Sequence, residues 1–332
     1  MFMTKDEQKE MMLINMLAAR NMVLEKQPLI HLITSPIAIN DCANAILAVG
    51  GRPICAEHPE EVQGITEISR ALGVSLANIT DARLRSIKIS GETARHVGIP
   101  SVIDVVGVSC SRLRMDAAAS FIKQARPTVI KGNASEITAL AVELLGKVMP
   151  EREAAETGKD HADARAAGVD VADIDRVRAG DEVTINRMLK ISSQLSKLTG
   201  STVLVSGEVD IVSDGKVGAL LENGVPELGR VTGTGCLLNA LVDTYLSETC
   251  DGFTAAMLAA ATLGIAGELA YAQCAGRLAD EKTAVKYACD TVGNKQSSRI
   301  GLGSFHICLI DALSYMTDDD IKGCIKLQLR TG

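Results

Sequence analysis

The chain has 332 residues and a formal net charge of −7; 47% of its residues are hydrophobic, only 2% are aromatic and none is tryptophan. That length supports one large α/β domain or two small ones, and a core without aromatics must be Ala, Leu, Ile and Val, as where helices cover a parallel sheet. The acidic balance argues against a nucleic-acid binder, and nine cysteines with no C-x-x-C pair argue against a disulfide framework and for a reducing, cytoplasmic setting.

From the N-terminus, MFMTKDEQKEMMLINML is charged and amphipathic, without the apolar centre or small-residue cleavage site of a secretory leader. It is read as a helical extension over about 1–27. LIHLI (29–33) is a strand, and AINDCANAILAVG (38–50) a helix closed by Gly50 and Gly51. A helix is expected over 59–73, a strand over 73–78, and a helix over 81–98 capped by Asp81. PSVIDVVGV (100–108) reads as a buried strand, followed by a helix over 112–125 and the strand TVIKG (128–132). STVLVSG (201–207) is another strand, and VDIVSDGKVGALLENG a hairpin turning at Asp214 and Gly215.

After Gly235 the pattern is helical almost to the end. The stretch FTAAMLAAATLGIAGELAYA is about long enough to span a membrane. It is Ala-rich, broken by glycines and carries Glu268, so it is read as a buried helix and not as a membrane span. Residues of about 148–182 and 276–300 are charged and weakly periodic, and read as insertions. The alternation of strands and helices over about 200 residues predicts a mostly parallel sheet with helices on both faces.

Four stretches hold candidate chemistry. In RVTGTGCLLNAL (230–241) a glycine turn enters a helix, so backbone N–H groups of Gly233, Thr234 and Gly235 can form an anion hole beside Cys236. The competing reading is an ordinary loop with Cys236 as a core thiol. GVPELGRV (224–231) has the glycine spacing of a P-loop but lacks its Lys and Ser/Thr, and is rejected. VIKGNASEI (129–137) delivers Lys131 and Asn133 to a strand end, where ligands gather in open α/β sheets. There Asn133 and Glu136 form either a capping box or a set for hydrated Mg²⁺ beside nucleotide phosphate. Asp104 closes a buried strand, where a carboxylate must be paired or used, with Arg114 just beyond as a surface cation or an anion partner. In 31–62, Asn40 and Asn44 share one helix face, and two amides buried there would need a partner or ligand. His31 and His58 are not at zinc-ligand spacing.

Taken in order, PLIHLITSPIAINDCANAILAVGGRPICAEHPEEV, GIPSVIDVVGVSCSRLR, VIKGNASEI, VLVSGEVDIVSDG, VTGTGCLLNALV and GLGSFHICLIDAL resemble hydroxyethylthiazole kinase of the ribokinase-like superfamily. The resemblance implies a single domain over 1–332, a three-layer α/β/α sandwich, and a homotrimer with sites between subunits. It implies transfer of the ATP γ-phosphoryl group, with Mg²⁺, to the hydroxyl of 5-(2-hydroxyethyl)-4-methylthiazole in making thiamine precursors. Lys131 and Ser206 then stand at nucleotide contacts, and Gly233, Cys55, Ser35 and Asn40 on the substrate side. Asn133 and Glu136 match an N-x-x-E element that organises Mg²⁺ water, Asp104 is a second metal candidate, directly or through water, and Cys236 stands where related sugar kinases carry their catalytic Asp. Cys55 replaces a common methionine and Ser35 a common Asn, so the resemblance implies ATP use more strongly than the identity of the alcohol. The thiol at a helix N-terminus is expected to have a lowered pKa and to act as a weak base, or only to orient the alcohol. The rivals are a kinase for another small alcohol, an enzyme using Cys236 as a covalent nucleophile, and a non-catalytic thiazole- or nucleotide-binding protein.

Overall fold

Period-two alternation along the strands sends successive side chains into two separate cores. Leu72, Ile103, Ile130 and Val203 face one core, while Leu32, Val102, Val129 and Leu204 face the other. The computed structural model describes residues 4–146, 177–249, 251–276 and 300–331. Most of both expected insertions lies outside these described residues.

The chain opens with α1 (Lys5–Lys26), β1 (Leu29–Ile33), α2 (Ile39–Ala48), β2 (Arg52–Ile54), α3 (Val62–Ile68), β3 (Ala71–Ser75) and α4 (Asp81–Val97). It continues with β4 (Ser101–Asp104), α5 (Arg112–Ala125), β5 (Val129–Asn133), α6 (Ala134–Leu145), α7 (Glu182–Thr199) and β6 (Thr202–Ser206). The hairpin β7 (Asp210–Ser213) and β8 (Val217–Leu221) leads through a 3₁₀ turn (Pro226–Arg230) to α8 (Thr234–Thr249). Then come α9 (Gly252–Cys274), α10 (Leu302–Tyr315), α11 (Asp318–Cys324) and β9 (Leu327–Thr331).

One nine-stranded sheet has the order β2-β1-β3-β4-β5-β6-β7-β8-β9. Strands β1 to β6 are parallel, and β7, β8 and β9 are antiparallel. Residues of α1, α2, α8, α9 and α10 fill one core, and those of α4 to α7 the other, giving the three-layer α/β/α sandwich. Edge strand β2 contains Pro53, which an edge tolerates. The N-terminal helix is tied into this frame: Met16 and Val23 are fully buried, and Arg20 pairs with Asp318 at 2.6 Å.

The buried reading of α9 holds, since its most apolar window is wholly covered by protein. Glu268 within it accepts from Gly224 N–H at 2.9 Å and from Lys326 Nζ at 3.0 Å. That carboxylate thereby anchors the loop leading into the glycine turn.

Three boundaries differ from the sequence expectation. The chain after Gly235 is not helical to its end, because Leu327–Thr331 pairs with β8. Strand β3 begins at Ala71, two residues inside the expected helix, and β4 stops at Asp104, where the chain leaves the sheet. Cys324 is disulfide-bonded, whereas Cys42, Cys55, Cys110, Cys236, Cys274 and Cys308 are free.

Candidate active site

Parallel strands deliver their C-terminal residues to one edge, and four of them place polar groups there: Thr34 and Ser35 after β1, Ser75 on β3, Asp104 on β4, and Lys131 on β5. Lys131 and Asp104 lie opposite each other in the β4–β5 register, and Lys131 Nζ meets Asp104 Oδ2 at 3.1 Å. Their side chains are only 5% and 2% exposed. The other carboxylate oxygen, Oδ1, is buried without a hydrogen-bond partner.

The glycine turn closes over this pair. A Cβ added to Gly235 would lie 3.1 Å from Lys131 Nζ, so glycine lets the first turn of α8 approach the ammonium without crowding it. Gly233 has φ +91°, and a Cβ there would meet Ala38 Cβ at 2.9 Å. The first intrahelical bond runs from Leu237 N–H to Gly233 C=O at 2.9 Å. The N–H groups of Thr234, Gly235 and Cys236 therefore lie in the first turn, where helix geometry provides no intrahelical acceptor. Together with the helix dipole and Lys131 they give this end of α8 a positive potential, where an anion would be favoured.

Glu136 has the capping role. Its Oε2 accepts from Asn133 N–H at 2.8 Å while Asn133 Oδ1 accepts from Glu136 N–H at 2.9 Å, a complete capping box. Its Oε1 accepts from Gly107 N–H at 2.7 Å, which fastens the turn after β4 to the start of α6. Gly132 permits this closeness, because a Cβ there would meet Val105 Cγ2 at 2.9 Å. Arg114 is half-buried and donates to Val106 C=O at 3.3 Å, in the local role. Ser206, at the end of β6, sits opposite Asn133 and donates to Gly132 C=O at 3.4 Å.

Cys236 is half-buried, and burial pushes its thiol up, with Asp104 adding to the effect. Lys131 and the hydroxyls of Thr34 and Ser75 oppose the rise without cancelling it. The expected lowered thiol pKa is therefore corrected: desolvation outweighs the helix N-terminus. Burial also raises Asp104 against the pull of Lys131. For Lys131 burial works downward, but Asp104, Glu136 and Cys236 together raise it, so the ammonium keeps its charge.

The substrate-side candidates are spread more widely. Ser35 is buried and donates to Asn78 Oδ1 at 2.8 Å. Cys55 is half-buried just after β2, and burial pushes its thiol up. Asn40 is exposed on the first turn of α2 and Asn44 half-buried, so the expected face of two buried amides does not form. Asp41 instead pairs with His306 of α10 at 3.0 Å. The P-loop look-alike is a 3₁₀ turn whose Arg230 is exposed.

Sequence reasoning missed Thr34 and Ser75, whose hydroxyls flank Cys236, and Arg83, a buried arginine reaching Thr34 C=O. Small polar residues at strand C-termini were the available signal for the first two. Nothing in the helix pattern singled out Arg83.

Among the described residues no group of three or more His, Cys, Asp or Glu side chains is set to hold a metal ion. The unpartnered Asp104 Oδ1 and the nearby Glu136 are hard oxygen donors, which fits Mg²⁺ sharing phosphate and water ligands.

Comparison with known proteins bears on the family and the fold. The chain matches the hydroxyethylthiazole kinase family over residues 21–169 and 164–319. It is 43% identical over 267 residues to hydroxyethylthiazole kinase 2 of Clostridium botulinum strain Hall, covering 80% of this chain and 91% of that protein. It is 32% identical over 300 residues to a hydroxyethylthiazole kinase of strain Eklund 17B, covering 90% and 91%. Among solved structures, hydroxyethylthiazole kinase from Pyrococcus horikoshii OT3 superposes with a TM-score of 0.73 at 27% identity, covering 95% of this chain and 98% of that one. Pyridoxal kinase of Bacillus subtilis, at 14% identity and a TM-score of 0.50 over 72% of this chain and 90% of that one, shares the fold. The chain is a member of the hydroxyethylthiazole kinase family, a kinase on the ribokinase-like fold.

Proposed function

We propose that this kinase transfers the γ-phosphoryl group of ATP to the hydroxyl of 5-(2-hydroxyethyl)-4-methylthiazole, serving thiamine synthesis or salvage from a single ribokinase-like domain in the cytoplasm. The observation that carries the reading is Lys131, a buried cation 3.1 Å from Asp104 and directly beneath Gly235. Phosphoryl transfer passes through a loose transition state, so positioning and charge balance supply most of the catalysis. The N–H groups of 233–236 would take the equatorial oxygens of the transferring group, and Lys131 would neutralise its developing charge. Ser206, at the neighbouring strand end, would contact the nucleotide. Asp104, with Glu136 through water, would hold Mg²⁺, which supplies further charge neutralisation on the phosphates.

Cys236 would stand beside the acceptor hydroxyl. Its raised pKa leaves it mainly a thiol at neutral pH, so orientation of the alcohol is favoured over proton removal. Thr34, whose buried hydroxyl faces Cys236, can share that task. Ser35, Cys55, Gly233 and Asn40 would bound the acceptor side. A homotrimer with sites between subunits is part of this reading, in which Ile37 and Ile307, 67% and 65% exposed here, would be covered.

The test is an ADP-release screen with ATP, Mg²⁺ and a panel of hydroxyethylthiazole, hydroxymethylpyrimidine and small sugars. Turnover of the thiazole alcohol is expected. Turnover of another alcohol without the thiazole would replace the proposed substrate, and binding without ADP release from any of them would favour a non-catalytic protein.

A further inference from the structure

Arg83 lies in the first turn of α4, after the Thr80 cap. That is the positive end of the helix dipole, where a cation is disfavoured. It is also buried, with a side chain 5% exposed. Both costs fall on a position where an apolar residue would join the surrounding core without them.

The guanidinium reaches three separate loops. It donates to Thr34 C=O at the end of β1, to Asn78 C=O after β3 at 3.1 Å, and faces Glu57 after β2 at 3.4 Å. Asn78 holds a left-handed backbone at φ +50° and accepts the Ser35 hydroxyl at 2.8 Å. One helical turn on, Ser86 Oγ donates to Glu57 C=O at 2.7 Å, so the same face of α4 braces the β2 loop twice. These loops carry Ser35 and Cys55.

Its charge is not fully matched. Glu57 is 50% exposed, and Arg83 Nε makes no hydrogen bond. Burial pushes the guanidinium down, while Glu57 and, across the site, Cys236 pull it up.

We propose that Arg83 is a positioning residue for the acceptor half of the site: its fork sets the Thr34–Ser35, Cys55 and Asn78 loops. Lys131 would then serve the phosphoryl side and Arg83 the alcohol side of one reaction centre. The proposal rests on the kinase reading for its kinetic arm only.

The test uses the full chain with Arg83→Met and Arg83→Lys. Arg83→Met is expected to raise the acceptor KM about tenfold or more while the ATP KM stays within about twofold. Arg83→Lys keeps the charge without the fork, so the acceptor KM still rises, by about threefold or more. The second readout is the rate of Cys55 alkylation, followed by peptide mass mapping, with the exposed Cys110 as reference. Cys55 should be alkylated several-fold faster in Arg83→Met and Arg83→Lys than in wild type, with Cys110 unchanged. Acceptor and ATP KM values rising in step, an acceptor KM unchanged in the folded variants, or a Cys55 rate unmoved in Arg83→Met would overturn the proposal. If Arg83→Met does not fold, the acceptor KM of Arg83→Lys decides. A wild-type chain that turned over no alcohol would remove the kinase reading, and the Cys55 alkylation rate, which needs no substrate, would then decide Arg83 alone.

Discussion

Replacing Lys131 by methionine removes the cation from the buried pair while nearly preserving volume. In the protein the two side chains are 5% and 2% exposed and 3.1 Å apart, and Asp104 Oδ1 already has no partner. Breaking a buried pair from one side costs about 3–5 kcal/mol, because the remaining charge is uncompensated. Asp104 can escape part of that by keeping a proton. Its carboxyl is already pushed up by burial, and loss of the ammonium that opposes the rise pushes it further. A folded-state pKa above the unfolded value means the folded chain holds a proton that the unfolded chain has released. Stability then falls as pH rises from about 4, the unfolded value, through the raised folded one. The penalty of Lys131→Met should therefore be smaller at pH 5 than at pH 8. On activity, losing one preorganised charge at the transferring phosphoryl is expected to lower kcat by about 10²–10³. Thermal melts of both proteins at the two pH values, with ADP-release kinetics, measure this. A melting loss equal at pH 5 and pH 8, or a kcat within about threefold of wild type, would refute the reasoning.

Three further substitutions probe the frame around the site. Gly233→Ala forces a Cβ onto φ +91° and against Ala38 at 2.9 Å, and should lower kcat/KM about tenfold or more, with strain of about 1–3 kcal/mol seen in melts. Glu268→Ala leaves Asn223 and Lys326 without their shared acceptor and frees the loop into the glycine turn. About 3 kcal/mol of stability should go, together with activity. Asp243 is fully buried on α8 with both oxygens unpartnered, and burial holds its carboxyl well above the usual range. By the same sign argument its stability contribution worsens as pH rises above about 4, so Asp243→Asn should flatten the melting temperature between pH 5 and pH 8. An unchanged pH slope in that variant would show that Asp243 is ionised or satisfied in the fold.

The parts of the site that run along the chain were legible in the sequence. Lys131, Asn133 and Glu136 are one strand end and one helix cap, and 233–236 one turn, so local pattern placed them together. Asp104 was legible because a carboxylate closing an apolar strand is costly. The pairing of Asp104 with Lys131 depends on the order of strands, which periodicity does not contain. Arg83 was invisible for the same reason, since its contacts cross 49 residues to Thr34. The sign of the Cys236 shift was misread because a helix N-terminus shows in sequence and desolvation does not. Asn40 and Asn44 share a helix face, but the orientation of α2 on the sheet leaves that face partly open. Strand β9 was legible and overlooked: in IKLQLRT apolar residues alternate with Lys326, Gln328 and Arg330, the pattern of a protected edge.

The central claim is phosphoryl transfer at the turn over Lys131, and the product itself tests it most directly. Wild-type chain incubated with ATP, Mg²⁺ and hydroxyethylthiazole should yield ADP and the thiazole phosphate ester in equal amounts by mass spectrometry. Cys236→Ala should slow this by about tenfold, less than the 10²–10⁴ that a general base supplies, since the thiol only orients the alcohol. ADP formed without the ester, or an ester rate untouched by Lys131→Met, would contradict the account.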